Sequence, residues 1–240
     1  MNGGPRAFVT GLGVVCAGAG DVRGLRALLA APKPCFQLPT AFPARGAWAE
    51  LPVAQVAGFD GADRGDLPRT HHMALQAARE AVADGPPPDA IVLGTTTGGI
   101  LTTEAALQVG STDPRAYRFH ALDTVAEVVA VALAVTGPVL TVSTACSSAG
   151  VAISVAQALL RVGLARRVLA GGVDSLSRLT FHGFRLLQLV APDGCRPLDA
   201  NRTGMTVGEG AGFLLLESAP LRNRHWFGRQ VRRIQDFITR

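Results

Sequence analysis

Residues 138–162 combine a short apolar segment, a turn of small residues and an almost wholly apolar stretch. The first segment, 138–142, predicts a strand, and 149–162 predicts a buried helix. The turn between them holds one cysteine, Cys146. A strand, a tight turn and a buried helix in this order form the pattern of a nucleophile elbow. They also present the side chain of the turn at the positive end of a helix.

Two interpretations of Cys146 follow from these residues alone. A thiol at the N-terminal end of a helix can serve as a nucleophile, provided that the site is accessible and electropositive. Most free cysteines are instead small buried core residues. The local pattern leaves both interpretations open.

The composition favours an α/β domain with helices on both faces of a sheet. Hydrophobic residues make up 48% of the 240 residues, whereas charged residues make up 17% and aromatic residues 5%. A chain of this length forms one large domain or two small ones. No apolar run reaches the roughly 18 residues of a membrane span, and no signal peptide opens the chain, so we expect a soluble cytoplasmic protein without a membrane span.

The metal-binding residue types show no pattern of a metal or disulfide site. The four cysteines have no paired spacing, which favours reduced thiols: Cys16, Cys35, Cys146 and Cys195. His71 and His72 begin a predicted helix without a metal-spaced partner, so we interpret them as surface or packing residues. The sequence predicts no metal and no cofactor.

The net charge of +5 is carried by the end of the chain. Six arginines and one acidic residue lie between residues 219 and 240, while the remaining body is balanced. A basic tail can bind nucleic acid, but nothing in the body supports that role. We therefore predict no nucleic-acid partner and treat 219–240 as an arginine-rich divergent tail with no assigned domain.

The order of predicted elements indicates a mostly parallel five-stranded sheet with helices on both faces. The strands are expected at 7–15, 90–95, 138–142, 167–173 and 213–217, and the main helices at 69–84, 100–109, 123–135 and 149–162. Residues 181–190 form a short apolar segment, and a polar loop follows it.

Two glycine pairs allow more than one interpretation. Gly11 and Gly13 lie in the first strand and lack the third glycine of a dinucleotide-binding motif, which argues against that function. Gly98 and Gly99 indicate either close backbone approach, to a ligand or to another subunit, or plain turn glycines.

Five sequence motifs in this chain together resemble the β-ketoacyl synthases, the condensing enzymes of fatty-acid and polyketide synthesis. They are VTGLGVV at 9–15, TACSS at 144–148, AGGVD at 170–174, CRPLD at 195–199 and RTGMTVGEGAG at 202–212. The resemblance is to the elongating type and implies the N-terminal half of a thiolase-like fold. It places the ketosynthase domain at residues 1–218.

The resemblance implies that Cys146 is the acylated nucleophile and that its backbone N–H supplies half of an oxyanion hole. Met205 matches a family position near the acyl pocket, where a flexible side chain would alter chain-length preference, although filling core space is the alternative. We assign Thr144, Gly98 and Gly99 to the same substrate pocket.

The resemblance also shows what the sequence lacks. Family members continue into a second thiolase half that carries two catalytic histidines and completes the oxyanion hole. None of the histidines here lies in a matching motif: His71, His72, His120, His182 and His225. We therefore expect a truncated chain.

Two functional hypotheses result from these observations. In the first, an acyl thioester is transferred to Cys146 and condensed, with decarboxylation, with a malonyl unit on an acyl carrier protein. In the second, the chain is a catalytically incomplete partner subunit of a ketosynthase heterodimer. Either hypothesis implies acyl carrier protein as a partner and a homo- or heterodimer.

Overall fold

The computed structural model describes residues 7–43, 50–58 and 67–218. The strands are β1 (Phe8–Cys16), β2 (Val53–Ala54), β3 (Ala90–Gly94), β4 (Val139–Val142), β5 (Arg167–Asp174), β6 (Val207–Gly208) and β7 (Gly210–Glu217). The α-helices are α1 (Val22–Ala30), α2 (Arg69–Val82), α3 (Ile100–Gln108), α4 (Asp123–Ala132), α5 (Ser148–Arg161) and α6 (Arg178–Leu186). The predicted tail at 219–240 lies outside the described residues, and the domain boundary at 218 stays a prediction.

Five strands form one sheet in the order β1-β7-β5-β3-β4. Strand β3 pairs in parallel with β4 and β5, whereas β7 pairs antiparallel with both β5 and β1. The sheet is therefore mixed, and the prediction of a mostly parallel sheet was only partly right. The reason is the connection after β5: Gly210 at the start of β7 pairs with Asp174 at the end of β5. Strand β7 thus starts at the end of the sheet where β5 finishes, and it runs back beside β5 in the opposite direction.

The two faces of the sheet pack against different helices. Along β3, Ile91 and Leu93 join a core with α2 and α4, whereas Ala90 and Val92 join a core with α5. Alternate side chains of a strand point to opposite faces, so helices cover both faces, as predicted. A third cluster, built around Phe42 and Phe181, packs α6 beside the two-stranded β2–β6 sheet.

The glycines of β1 allow α2 to lie directly on the sheet. A Cβ atom at Gly13 would come within 1.8 Å of the carbonyl oxygen of Ala77, and one at Gly11 within 1.9 Å of that of Ala81. Only glycine fits at this approach. These two glycines thus serve helix packing within the chain.

Among the described residues, no helix combines the length and the apolar character needed to cross a membrane.

Candidate active site

The carboxyl ends of three adjacent parallel strands meet at one edge of the sheet. Gly94 of β3 pairs with Val142 of β4 and with Gly172 of β5, and β5 ends two residues later at Asp174. Strand β4 leads straight into the Cys146 turn, and α5 begins at Ser148. In open α/β sheets, this edge is the usual place for ligands.

The turn that carries Cys146 is held by hydroxyl groups of its own residues. Ser148 Oγ donates to the carbonyl of Ala145 at 2.7 Å and accepts from the backbone N–H of Thr144 at 2.9 Å. Ser147 Oγ donates to the carbonyl of Thr144 at 2.8 Å. These bonds close the turn on itself and fix the residue between them, Cys146.

Ala145, directly before the cysteine, has a φ of +53°. Residues other than glycine seldom adopt this left-handed conformation, and it costs on the order of 1–3 kcal/mol. The chain therefore turns sharply at Ala145, and Cys146 follows as an exposed, free cysteine. This exposure does not fit a core residue.

Two glycines form the seat for the first turn of α5. A Cβ atom at Gly94 would lie 2.5 Å from the backbone carbon of Ser148, and one at Gly172 would lie 2.9 Å from Cβ of Ala149. We refer to residues 143–147, together with this seated first turn of α5, as the elbow. Its position is set by close contact with β3 and β5.

A carboxylate organises the loop that follows β3. Asp174 Oδ1 accepts from Thr95 Oγ1 at 2.8 Å, from the N–H of Thr96 at 2.7 Å and from the N–H of Thr97 at 2.9 Å. It also accepts from Thr97 Oγ1 at 3.0 Å, and Oδ2 accepts from Thr96 Oγ1 at 2.7 Å. Asp174 lies in the AGGVD motif, but the sequence alone assigned it no role. A signal for its role was present in the sequence: Asp174 is an acidic residue at the end of one predicted strand, and a loop of three threonines follows another predicted strand.

The Gly98–Gly99 pair packs against its own chain. Gly98 has a φ of +48°, and a Cβ atom there would meet Leu122 at 3.1 Å. A Cβ atom at Gly99 would lie 2.1 Å from the carbonyl oxygen of Phe119. The close backbone approach is thus to the connection before α4, where the sequence left open a ligand, another subunit or plain turn glycines. The assignment of both glycines to the substrate pocket stays a prediction, as does that of Thr144.

Met205 lies on the loop that precedes β6. Its N–H donates to the carbonyl of Leu189 and its carbonyl accepts from Ala191, both at 2.8 Å. The residue is 42% exposed, which does not fit the alternative of a core filler. Its place in the acyl pocket stays a prediction.

A buried ion pair connects α2 to segments that lie next to this edge of the sheet. Arg69 at the start of α2 donates to the carboxylate of Glu209, whose side chain is fully buried. Glu209 also accepts from the N–H of Val56 at 2.8 Å and from that of Leu176 at 3.0 Å. Glu209, in the GEGAG part of the last motif, therefore connects its own segment to three others. They are α2, the segment that contains Val56, and the segment after β5, where Leu176 lies two residues after Asp174.

His71 is a packing residue, as predicted. It is fully buried in α2, its ring lies 4.9 Å from that of Phe119, and its Nε2 is 3.1 Å from Thr124 Oγ1. Burial, together with the nearby charge of His72, lowers the pKa of His71 to about 4. Within the described part of the chain, no group of three or more histidine, cysteine and acidic side chains is placed to hold a metal.

Comparisons with known proteins identify the family to which the chain is similar. Residues 6–221 match the family model described as the beta-ketoacyl synthase, N-terminal domain. A putative polyketide beta-ketoacyl synthase 1 of Streptomyces cyaneus is 30% identical, with 88% of this chain and 58% of that protein covered. Nodulation protein E of Rhizobium meliloti is 43% identical over 38% of this chain and 23% of its own length.

Solved structures give the same result. The ishigamide ketosynthase/chain length factor is 27% identical with a TM-score of 0.81, covering 90% of this chain and 59% of that chain. A beta-ketoacyl synthase from Burkholderia phymatum is 26% identical with a TM-score of 0.73, covering 89% and 59%. The chain thus spans less than two thirds of the length of these relatives.

Proposed function

Because the chain belongs to the β-ketoacyl synthase family by its match over residues 6–221, we propose that it accepts an acyl group on Cys146. The donor is an acyl thioester on a carrier protein, and the acyl group is then condensed with a malonyl unit in fatty-acid or polyketide synthesis. The observation that carries the proposal is the exposed Cys146 on a turn between β4 and α5.

In the first step, the sulfur of Cys146 attacks the thioester carbonyl as a thiolate. A tetrahedral oxyanion forms and collapses, the carrier thiol leaves as a thiolate that takes up a proton, and Cys146 holds the acyl group. The backbone N–H of Cys146 is the oxyanion donor that the proposal requires. The location of the elbow at the N-terminal end of α5 supports both roles, since this end carries partial positive charge.

In the second step, malonyl thioester on the carrier loses carbon dioxide and the resulting enolate attacks the acyl carbon on Cys146. A carbon–carbon bond forms, the carbon–sulfur bond to Cys146 breaks, and a β-ketoacyl carrier product leaves. Decarboxylation needs donors that stabilise the enolate. The histidines that relatives are expected to use for this step have no matching motif in this sequence.

The proposed partners are an acyl carrier protein and a second ketosynthase-type chain. One structural neighbour, 26% identical with a TM-score of 0.72, is a ketosynthase in complex with its chain length factor. This pairing supports a homo- or heterodimer for the present chain. The proposal includes the cytoplasmic location expected from the sequence and the acyl pocket with Met205.

The first test is acylation of the purified chain with a carrier-bound acyl thioester, followed by intact-protein mass spectrometry. We expect one added acyl mass, which Cys146→Ala abolishes and Cys195→Ala retains. Cys195 is a suitable control because it is also a free cysteine but is partly buried. The absence of an adduct on the folded wild-type chain would refute the proposal.

The second test separates an enzyme from an incomplete partner subunit. With malonyl carrier protein added, we expect the acylated chain to form no β-ketoacyl product until a histidine-bearing ketosynthase chain is supplied. Condensation by the chain alone would assign the whole reaction to it. A chain that supports its partner without acylation at Cys146 would favour the non-catalytic alternative.

A further inference from the structure

We propose that Asp174 is a positioning residue, which fixes the elbow through the Thr95–Thr97 loop so that Cys146 and its backbone N–H act on one carbonyl. The inference rests on the proposed acyl transfer to Cys146. It assigns a function to a carboxylate that contacts neither the substrate nor the sulfur in the mechanism above.

The first step of the argument is the concentration of hydrogen bonds on Asp174. Its two oxygens accept five bonds, at 2.7–3.0 Å, from three consecutive threonines. Two of the donors are backbone N–H groups, so the carboxylate fixes the path of the loop as well as its side chains. A neutral side chain of the same shape offers one acceptor oxygen where the carboxylate offers two.

The second step connects this loop to the strand that enters the elbow. The N–H of Thr95 donates to the carbonyl of Val142 at 3.1 Å, directly before the turn. Gly94, the preceding residue, lies under the backbone of Ser148. A shift of the loop therefore moves both the entry to the turn and the seat of α5.

The third step connects β5 itself to the same helix. Gly172 lies under Ala149 and only two residues before Asp174. The N–H of Ser175 donates to Thr97 Oγ1 at 3.2 Å, which binds the end of β5 to the loop a second time. The elbow thus rests on two strands whose ends are joined through one carboxylate.

Accurate placement matters more for acyl transfer than for simple alkylation of the thiol. Acyl transfer requires the sulfur and the oxyanion donor to meet one carbonyl, and a displacement of about 1 Å can cost roughly a hundredfold in rate. Alkylation requires only an accessible thiolate. Because an unfolded chain also presents an accessible thiol, the two rates are compared at equal folded fraction, and their ratio then reports placement.

The experiment compares wild type, Asp174→Asn and Asp174→Ala in the full chain. Acylation by the N-acetylcysteamine thioester of hexanoic acid and alkylation by iodoacetamide are both followed at Cys146 by mass spectrometry. The matched control is Asp89→Asn. Asp89 accepts from the N–H groups of Arg166 and Arg167 at 2.7 and 2.9 Å, at the opposite edge of the sheet.

We expect Asp174→Ala to lower the maximal acylation rate by about ten- to a hundredfold, with a smaller loss for Asp174→Asn. The half-saturating thioester concentration and the alkylation rate should change less than about threefold, and Asp89→Asn should leave the ratio unchanged. Amide hydrogen exchange should also become faster in peptides covering 94–98 and 142–148, but not in those covering β7.

Equal losses in acylation and alkylation, or a folded fraction that acylates at the wild-type rate, would overturn the inference. Unchanged exchange at the elbow in Asp174→Ala would overturn it as well. A wild-type chain that never acylates refutes the proposed function instead. In that case, the exchange data still decide whether Asp174 holds the elbow.

Discussion

Helices α2 and α5 have the same length but lie on opposite faces of the sheet in very different surroundings. Each has 14 residues. In α2, ten residues are buried, including a charged arginine and a histidine, whereas in α5 only Ser148, Ala152, Ala156 and Leu160 are buried. The buried residues of α5 form one stripe at helical spacing, and its other residues are partly buried or exposed.

The difference contradicts what hydropathy alone suggests. Helix α5 contains a single charged residue, Arg161, and reads as a helix buried on all sides. Helix α2 carries three charged residues and two histidines, yet it lies between the sheet and α4. Burial is thus decided by the number of covering layers. An apolar helix covered on one side only leaves a surface suited to contact with another chain or domain.

The largest effect is expected from removing the charge buried at the start of α2. Arg69→Ala leaves the carboxylate of Glu209 buried without its guanidinium, which costs about 3–5 kcal/mol in the free energy of unfolding. Arg161→Ala at the exposed end of α5 should stay within about 0.5 kcal/mol. Urea unfolding measures the free energy of unfolding of both variants. Similar losses would mean that Arg69 and Arg161 are buried to a similar extent, which would contradict the difference between the two helices.

The next effect is a pH dependence that belongs to α2 alone. The pKa of His71 is about 4 in the folded chain and near 6.5 when unfolded, so the unfolded chain binds the proton more tightly. The contribution of His71 is fully present above pH 6.5 and is lost as the pH falls toward 4, by up to roughly 3 kcal/mol.

His71→Gln should flatten this part of the stability profile. The difference between wild-type and variant unfolding free energies, measured by urea titration from pH 7.5 to 4.5, isolates the histidine from the carboxylates. A difference that stays constant with pH would show that His71 is not buried in its neutral form.

A substitution on the outer face of α5 should have the smallest effect on stability, but it should weaken the association between chains. The chain should self-associate in light scattering, and Ser154→Lys should weaken association while changing the unfolding free energy by less than about 0.5 kcal/mol. Glu127→Gln on α4 adds the same unit of charge on the other face and should leave association unchanged. A stable monodisperse wild-type monomer would contradict the inference that the outer face of α5 contacts another chain.

Periodicity predicted the main elements because each buries a continuous apolar stripe. The helix expected at 69–84 occupies 69–82, and the one expected at 123–135 occupies 123–132. The five sequence motifs predicted the thiolase-like ketosynthase fold, which the structural neighbours confirm. Direction is not encoded in periodicity, so the reversal of β7 was missed. The β2–β6 pair was also missed, because each of these strands has only two residues.

The structure around Cys146 was predicted because its signal is local in the chain. The Cys146 turn lies within one short motif, so its strand–turn–helix form could be read directly from the residues. The role of Asp174 depends on a loop about eighty residues earlier in the sequence. No spacing rule brings such segments together before the order of strands is known.

The reversed strand also has a consequence for how the protein is made. Strand β1 contacts the rest of the sheet through β7, and Phe8 pairs with Glu217. During synthesis, β1 must therefore remain without its strand partner until β7, near the end of the described residues, has been made. Such a long-range closure is slow, and it exposes a strand edge to other chains in the meantime. Yield in cells should therefore depend on chaperones that protect nascent chains.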